Sequence, residues 1–529
     1  MSDRGLQRIT AALVAILLGT AVVFRLLHLG TMPGIDGDEG WWGVQATRWL
    51  HGQPFEARTT SGNPIDMILL VPLGLAHALA PPSFTLLRLV PSVLNLMGLA
   101  IGFFLVRRLY GRETAWMQTV ALAVLPTAIA HSRLCQDPSQ SIPWTALVVY
   151  LSLLSLKERS RAWPYAIATV VVFAVAVRTH PTNIFIAPFA LLPYITIVPS
   201  TKRARTIFFT TTALIIVAAI AAAIVWLARA AGSIELLDKP WLSTAVAHLT
   251  RPSNWLEFVV NYGRLFDGVV VYHYLSDPHL VSVASDLGFC LVAPLVLWGM
   301  WLTLSRHRSA VDGALVIAWT AMIGLFFVVA GPEALRPNFE RWGLCLIAPA
   351  TVIVARGIAG WLDAKPRLRA WTICASAAVA GGLLGAFYLD FFRVFETTGG
   401  RAHVTLVTAR PEPKQQALDH VLATRAGTEP VIVAAQQWWL YWPIAYLAQV
   451  HPGVRMSTTL AVEDRRDFAE MVDGGRVFIV EFTGSAQLAK AQAWIQAQGL
   501  RSTTTVVRDA GGRDLLHVLQ VSASDGRTR

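Results

Sequence analysis

Three carboxylates in four residues, Asp36, Asp38 and Glu39, stand out in the run Pro33-Gly34-Ile35-Asp36-Gly37-Asp38-Glu39. Clustered carboxylates suit a divalent metal, which takes oxygen ligands, or a general base. From Glu39 onward Trp42, Ala46, Trp49 and Leu50 recur near helical spacing. Asp38 or Glu39 therefore falls at a helix N-terminus, where Asp caps well and the helix dipole favours negative charge. A cap needs fewer acids than are present, so the capping and chemical readings both stand. A second acid, Asp137, opens Asp137-Pro138-Ser139, itself a good helix start. Basic groups recur near comparable positions: His131 and Arg133, Arg178 and His180, Arg336 and Arg341. Arg near a membrane boundary often snorkels to headgroups. Arg and His converging on carboxylates would instead suit a phosphate, the acid activating an acceptor while the bases hold a departing phosphate. The aromatic run Trp438-Trp439-Leu440-Tyr441-Trp442 fits a sugar-stacking surface, or a core strand or membrane-contacting patch. His28, His51, His77 and His451 are scattered and read as structural or interfacial.

The elements that must carry these groups are membrane spans. The chain has 529 residues, 54% hydrophobic and 15% charged, against about 25% charged in soluble domains. Eleven apolar runs approach the roughly 20 residues a spanning helix needs: 9–29, 86–106, 113–131, 140–156, 163–179, 183–199, 206–228, 286–305, 312–330, 342–361 and 371–392. The first, preceded by Arg4 and Arg8, is too long for a signal peptide's apolar segment and reads as an uncleaved span. With the N-terminus inside, the loops that fall in the cytoplasm hold short basic clusters: Arg107-Arg108 with Arg112, Lys157 with Arg159 and Arg161, Lys202-Arg203 with Arg205, Arg306 with Arg308, and Lys365 with Arg367 and Arg369. The net charge of +11 is thus placed for a membrane, not for nucleic acid. Residues 64–82 are apolar but short, and Pro72 interrupts them. If they crossed, every later basic loop would face outward, so they are expected to form a juxtamembrane or re-entrant helix on the outer face. Cys135, Cys290, Cys345 and Cys374 show neither metal spacing nor a disulfide framework.

The expected fold is therefore a polytopic all-α membrane bundle of about 11 transmembrane helices, with a C-terminal extracytoplasmic α/β domain. The transmembrane domain occupies 1–392, with outer loops at 30–85 and 229–285. The second loop, which holds Trp255 and Tyr272-His273-Tyr274, is read as a helix lying on the membrane surface. Residues 393–529 alternate helix-like stretches (414–426, 462–472, 485–498) with β-branched runs (430–434, 476–482, 503–507, 515–521).

The stretch from Gly34 to Gly111 resembles the N-terminal part of the GT-C glycosyltransferases, closest to the branch of lipid A aminoarabinose transferases and protein O-mannosyltransferases. The likeness rests on Asp38-Glu39, the helix from Trp41 to Leu50, Gly52, the apolar segment Pro64–Pro82 and Leu87-Arg88-Leu89-Val90-Pro91-Ser92. It continues through Gly111-Arg112, Arg133 to Pro138, Arg178 to Thr182 and Glu340-Arg341-Trp342. The resemblance implies an enzyme moving a sugar from a polyprenyl-phosphate-linked donor, at the outer face of the inner (plasma) membrane, to a lipid, glycan or protein acceptor. It implies Asp38 as catalytic base and Asp137 as the second acid, placing the acceptor or a divalent metal. Arg341, Arg88 and His180 would hold the donor phosphate; Glu39, which also supports the base, Asp36 and Arg133 complete the expected substrate-binding set. Two departures are visible. The segment before Pro64 lacks the aromatic and Lys-Pro-Pro pattern of the aminoarabinose branch, and Asp36 adds an acid to the usual pair. A transporter or flippase of lipid-linked glycans would keep ionisable groups near mid-membrane, whereas these acids sit in loops. A non-catalytic envelope assembly protein is the other alternative.

Overall fold

The computed structural model describes residues 3–59, 62–197, 248–276, 301, 309–425, 427, 429–459 and 471–523. Within them seven helical stretches are long and apolar enough to cross a membrane: Arg4–Leu26, Phe84–Tyr110, Asp137–Lys157, Arg159–Thr179, Ala310–Ala330, Glu340–Ala364 and Pro366–Thr398. This is a multi-pass membrane protein. Two of the expected spans are interrupted. Residues 113–131 divide into helices Arg112–Val124 and Pro126–Ser132, because Leu125, which precedes a proline, is extended (φ −62°, ψ 124°). Residues 183–199 begin as a tight 3-10 segment, Pro181–Ile186, followed by two short helical pieces. The span expected at 206–228, that at 286–305 apart from Trp301, the basic clusters at 202–205 and 306–308, Cys290, and most of the helix expected at 462–472 lie outside the described residues.

The elements that frame the site are α1 (Asp3–Leu26), α2 (Gly37–Leu50), α3 (Met67–Leu79), α4 (Phe84–Tyr110), α5 (Arg112–Val124), α6 (Pro126–Ser132), α7 (Ser141–Lys157) and α8 (Ala162–Thr179). They are joined by α9 (Pro252–Asp267), α10 (Val269–Leu275), α11 (Ala310–Ala330), α12 (Ile347–Ala364) and α13 (Arg369–Phe387). Helix α3 holds 13 residues, about 20 Å at 1.5 Å per residue, well short of the roughly 30 Å hydrocarbon core. It packs on α2 and α4, with Gly74 pressed against the Trp49 ring. Helix α9 turns an apolar face outward through Trp255, Leu256 and Val259 and ends at Gly268, whose φ of 87° turns the chain into α10.

Alternate crossings bring the three described basic clusters, at 107–112, 157–161 and 365–369, to one end of the bundle. There Arg108 pairs with Glu158 at 2.6 Å, Lys157 donates to the carbonyl of Leu109 at 2.6 Å, and Arg369 pairs with Glu113 at 2.6 Å. The loops that carry Asp38, Asp137, His180 and Arg341 lie at the other end of the helices they join.

The C-terminal region folds as a five-stranded sheet of order β2-β1-β3-β5-β4, formed by β1 (Val431–Ala434), β2 (Val454–Ser457), β3 (Val477–Phe482), β4 (Leu500–Arg508) and β5 (Asp514–Ala523). β1 pairs in parallel with β2 and β3, while β5 runs antiparallel to β3 and β4. Helices α14 (Pro413–Thr424), α15 (Trp438–Ala448) and α16 (Ala486–Ala497) accompany it. The aromatic run is helical as α15, which corrects the core-strand reading. Strand β2 had no counterpart among the expected strands.

Candidate active site

Helix α2 places the acidic cluster, and its start explains two of the three acids. Asp36 is the N-cap: its Oδ1 accepts from the Asp38 N–H at 3.0 Å, and Glu39 Oε1 accepts from the Asp36 N–H at 3.1 Å. This reciprocal capping box satisfies two orphan donors of the helix. Asp36 Oδ2 also accepts from Gln136 Nε2 at 3.1 Å, and the residue is only 2% exposed. Burial, with Asp38 and Glu39 beside it, pushes its carboxyl up to about 8.

Glu39 is buried against Arg88 of α4. Arg88 Nε donates to Glu39 Oε2 at 2.7 Å and Nη2 to Oε1 at 2.5 Å. Its Nη1 donates to the carbonyls of Leu29 and Pro33 at 3.1 and 2.7 Å, and Nη2 also donates to that of Gly34 at 3.1 Å. A guanidinium has five N–H donors, and all five are used. Glu39 Oε2 accepts in turn from the Cys135 N–H at 2.9 Å. This corrects the expectation that Arg88 and Glu39 face substrate. They clamp the loop before α2 to α4 and to the segment that leads to Asp137. Arg133 is corrected likewise. It is buried, donates to the carbonyls of Phe24 and Met32, and stacks over Phe391 and Phe392 with its Cζ 5.4 and 5.0 Å from the ring centroids.

With those groups removed from contention, a smaller set shares one electrostatic neighbourhood. Asp38 accepts from Trp438 Nε1 at 3.0 Å, and Asp137 from Trp42 Nε1 at 3.0 Å. Each acid is half-buried and has one oxygen held by an indole N–H. Asp137 feels the charges of Asp38, Asp66 and Arg341. Burial raises the Asp38 carboxyl above its usual range, and the Trp438 hydrogen bond and the Arg341 charge oppose that rise. Arg341 lies just before α12 and is half-buried; among the described residues it forms no hydrogen bond or ion pair. His180, at the C-terminal end of α8, is held at Nδ1 by Thr182 Oγ1 at 2.6 Å. Burial, Arg341 and His131 push it down to about 3, so it is neutral. Near it the buried His131 faces Glu340, with 3.4 Å between Nε2 and Oε1.

Two members of this neighbourhood are absent from the set drawn from sequence. Asp66 caps α3, accepting from the Ile68 N–H at 2.9 Å, and burial pushes it up to about 6 against the pull of that bond, Arg178 and Thr179. Tyr274, in α10, is half-buried within reach of the charges of Asp36, Arg341, Glu340 and Asp38, and burial raises its hydroxyl. Its tyrosine run thus reaches the site and does more than lie at the membrane surface. Asp66 had a sequence signal in the cap position before an apolar helix; Tyr274 had none beyond its side of the membrane. Among the described residues no group of three or more His, Cys, Asp or Glu side chains is arranged to hold a metal ion.

The family model of dolichyl-phosphate-mannose-protein mannosyltransferases matches residues 72–226. No curated protein matches the sequence. Among solved structures, ArnT from Cupriavidus metallidurans in the apo state aligns over 96% of this chain and 98% of its own, with a TM-score of 0.55 and 14% identity. The same protein bound to undecaprenyl phosphate aligns over 96% and 97%, with a TM-score of 0.55 and 12% identity. The chain has the GT-C fold. An archaeal oligosaccharyltransferase, AglB from Archaeoglobus fulgidus, aligns over 99% of this chain and 75% of its own, with a TM-score of 0.49 and 10% identity. The alignment with ArnT runs nearly end to end, so the GT-C fold here includes the C-terminal sheet as well as the bundle. The family match, by contrast, ends before α10, the segment that leads into α12, and α15, which hold Tyr274, Arg341 and Trp438.

Proposed function

We propose that this GT-C chain is a glycosyltransferase of the cytoplasmic membrane that takes a sugar from a polyprenyl-phosphate-linked donor and transfers it, at the outer face, to a lipid, glycan or protein acceptor. The observation that carries the reading is the convergence of Asp38, Asp137 and Asp66 with Arg341, unpaired among the described residues, and the neutral His180 at one end of the bundle. The undecaprenyl phosphate bound to ArnT and the family description of the matched region support a lipid-phosphate donor.

In this mechanism Asp38, raised by burial yet kept ionisable by Trp438 and Arg341, takes the proton of an acceptor hydroxyl. The acceptor oxygen attacks the anomeric carbon from the face opposite the phosphate. The carbon–oxygen bond to phosphate breaks, and its electron pair leaves with the polyprenyl phosphate, so configuration inverts. Arg341 stabilises the charge that develops on the leaving phosphate, and His180 offers its free imidazole nitrogen as a neutral hydrogen-bonding group. Asp137 orients the acceptor, and Asp66 adds negative charge behind it. Asp36, Glu39, Arg88 and Arg133 build the loop that presents Asp38. A divalent ion would find only Asp38 and Asp137 to hold it among the described acids, and would there add positive charge against the leaving phosphate.

Deletion of the gene should remove a sugar from one envelope glycan, glycolipid or protein, detected by mass spectrometry. Wild-type protein should restore it and an Asp38→Asn variant should not. Full restoration by Asp38→Asn would end the base assignment. A reporter fused after Arg529 should read as external, and a cytoplasmic signal would reverse the orientation.

A further inference from the structure

The C-terminal sheet domain reaches the proposed base directly. The geometry points to Trp438 as a positioning residue for Asp38, held in place by Glu481 of the sheet domain, so that this domain sets the orientation of the catalytic acid and its readiness to accept a proton. The inference rests on the reading of Asp38 as the base.

Four observations combine. Trp438 Nε1 donates to Asp38 Oδ1 at 3.0 Å. Trp438 opens helix α15, whose side-chain cap is missing at Gln437. Glu481, on the buried strand β3, supplies the missing anchor: its Oε1 accepts from the Gln436 N–H at 2.9 Å and its Oε2 from Gln437 Nε2 at 3.1 Å. The position of Trp438 is thus fixed by a residue at the sheet's centre. Finally, α2 is shaped to receive α15. A Cβ at Gly37 would lie 2.4 Å from Trp438 Cδ1, one at Gly40 would lie 2.4 Å from the Pro443 nitrogen, and one at Gly43 would lie 2.4 Å from the Tyr446 ring. These glycines recur every three residues along one face of α2, and only their missing side chains let the indole approach the carboxylate. Trp42 and Asp137 make the matching contact within the bundle. One acid is therefore oriented from the membrane domain and the other from the sheet domain.

A hydrogen bond donated to a carboxylate favours its charged form. Replacing Trp438 by Phe keeps a ring and removes the donor. The full chain in lipid nanodiscs is labelled with a water-soluble carbodiimide, which reacts with protonated carboxyl groups, and the Asp38 peptide is quantified by mass spectrometry across pH. In Trp438→Phe the labelling midpoint of Asp38 should rise by about one pH unit, equivalent to about 1.4 kcal/mol. Binding of undecaprenyl phosphate, used as the probe, should change less than twofold. Glu481→Gln, which leaves the indole intact, should move the midpoint in the same direction by less, and it decides the matter if Trp438→Phe does not fold. Midpoints within 0.2 of wild type, on about the one-unit scale, would overturn the inference while leaving Asp38 as base. A shifted midpoint with full complementation by Asp38→Asn would support the contact and reject the base assignment, so the two failures are distinguishable.

Discussion

Arg88 separates two accounts of the same residue, one holding a ligand and one holding the fold. Arg88→Met keeps much of the side chain's length and removes every donor. Glu39 would then keep only the Asp36 and Cys135 backbone N–H groups, and the carbonyls of Leu29, Pro33 and Gly34 would lose their partner. Removing one member of a buried ion pair costs about 3–5 kcal/mol, because the other is left charged and dry. That is a large share of the roughly 5–15 kcal/mol typical of a folded domain. Thermal unfolding in detergent should show a clear drop for Arg88→Met, and the double variant Glu39→Gln/Arg88→Met should recover part of the loss, since the two sites share one interaction. Undecaprenyl phosphate binding should fall only as far as the unfolded fraction rises. If Arg88→Met unfolds at the wild-type temperature but binds the lipid phosphate tenfold more weakly, the clamp argument is wrong and Arg88 is a ligand group.

Arg341→Ala should weaken undecaprenyl phosphate binding by about tenfold to a hundredfold, the worth of one or two charge-assisted hydrogen bonds, with little change in unfolding temperature because Arg341 has no partner among the described residues. Asp66, raised to about 6 in the folded chain from an ordinary value of 3.8, holds a proton that the unfolded chain releases. Stability should therefore fall as pH rises from about 4 to about 6 and level off above, and Asp66→Asn should flatten that decline in unfolding temperature. Gly40→Ala should push α15 off α2, where a Cβ meets the Pro443 nitrogen at 2.4 Å, and should expose the 435–437 connection between β1 and α15 to proteases without loss of the membrane bundle.

Long apolar runs, the capping pattern and the grouping of basic loops at one end were legible because each depends on local composition or on counting crossings. The spans of α1, α4, α7, α8 and α11 to α13 follow from the first; the second gives an acidic helix start, but at Asp38 or Glu39, whereas the N-cap is Asp36. What was not legible is where a side chain's donors go. Arg88, Arg133 and Arg341 look alike in sequence. Two of them spend donors on backbone carbonyls at the end of α1 and in the segment between α1 and α2, Arg88 also on Glu39, and only the third stays unpaired among the described residues, a difference set by three-dimensional proximity. The 438–442 run defeated pattern reading because its aromatics suit strand, helix and membrane surface equally. Tertiary packing on the glycine face of α2 decides in favour of helix.

The contact between Trp438 and Asp38 joins residues 400 positions apart. At a synthesis rate of about 5–20 residues per second, Asp38 emerges roughly 20–80 s before the indole that orients it. For that interval the nascent bundle carries the Asp38 carboxyl without its hydrogen-bond donor. Assembly order thus becomes a form of timing: a chain that stalls before the sheet domain is complete carries Asp38 without the indole that holds it.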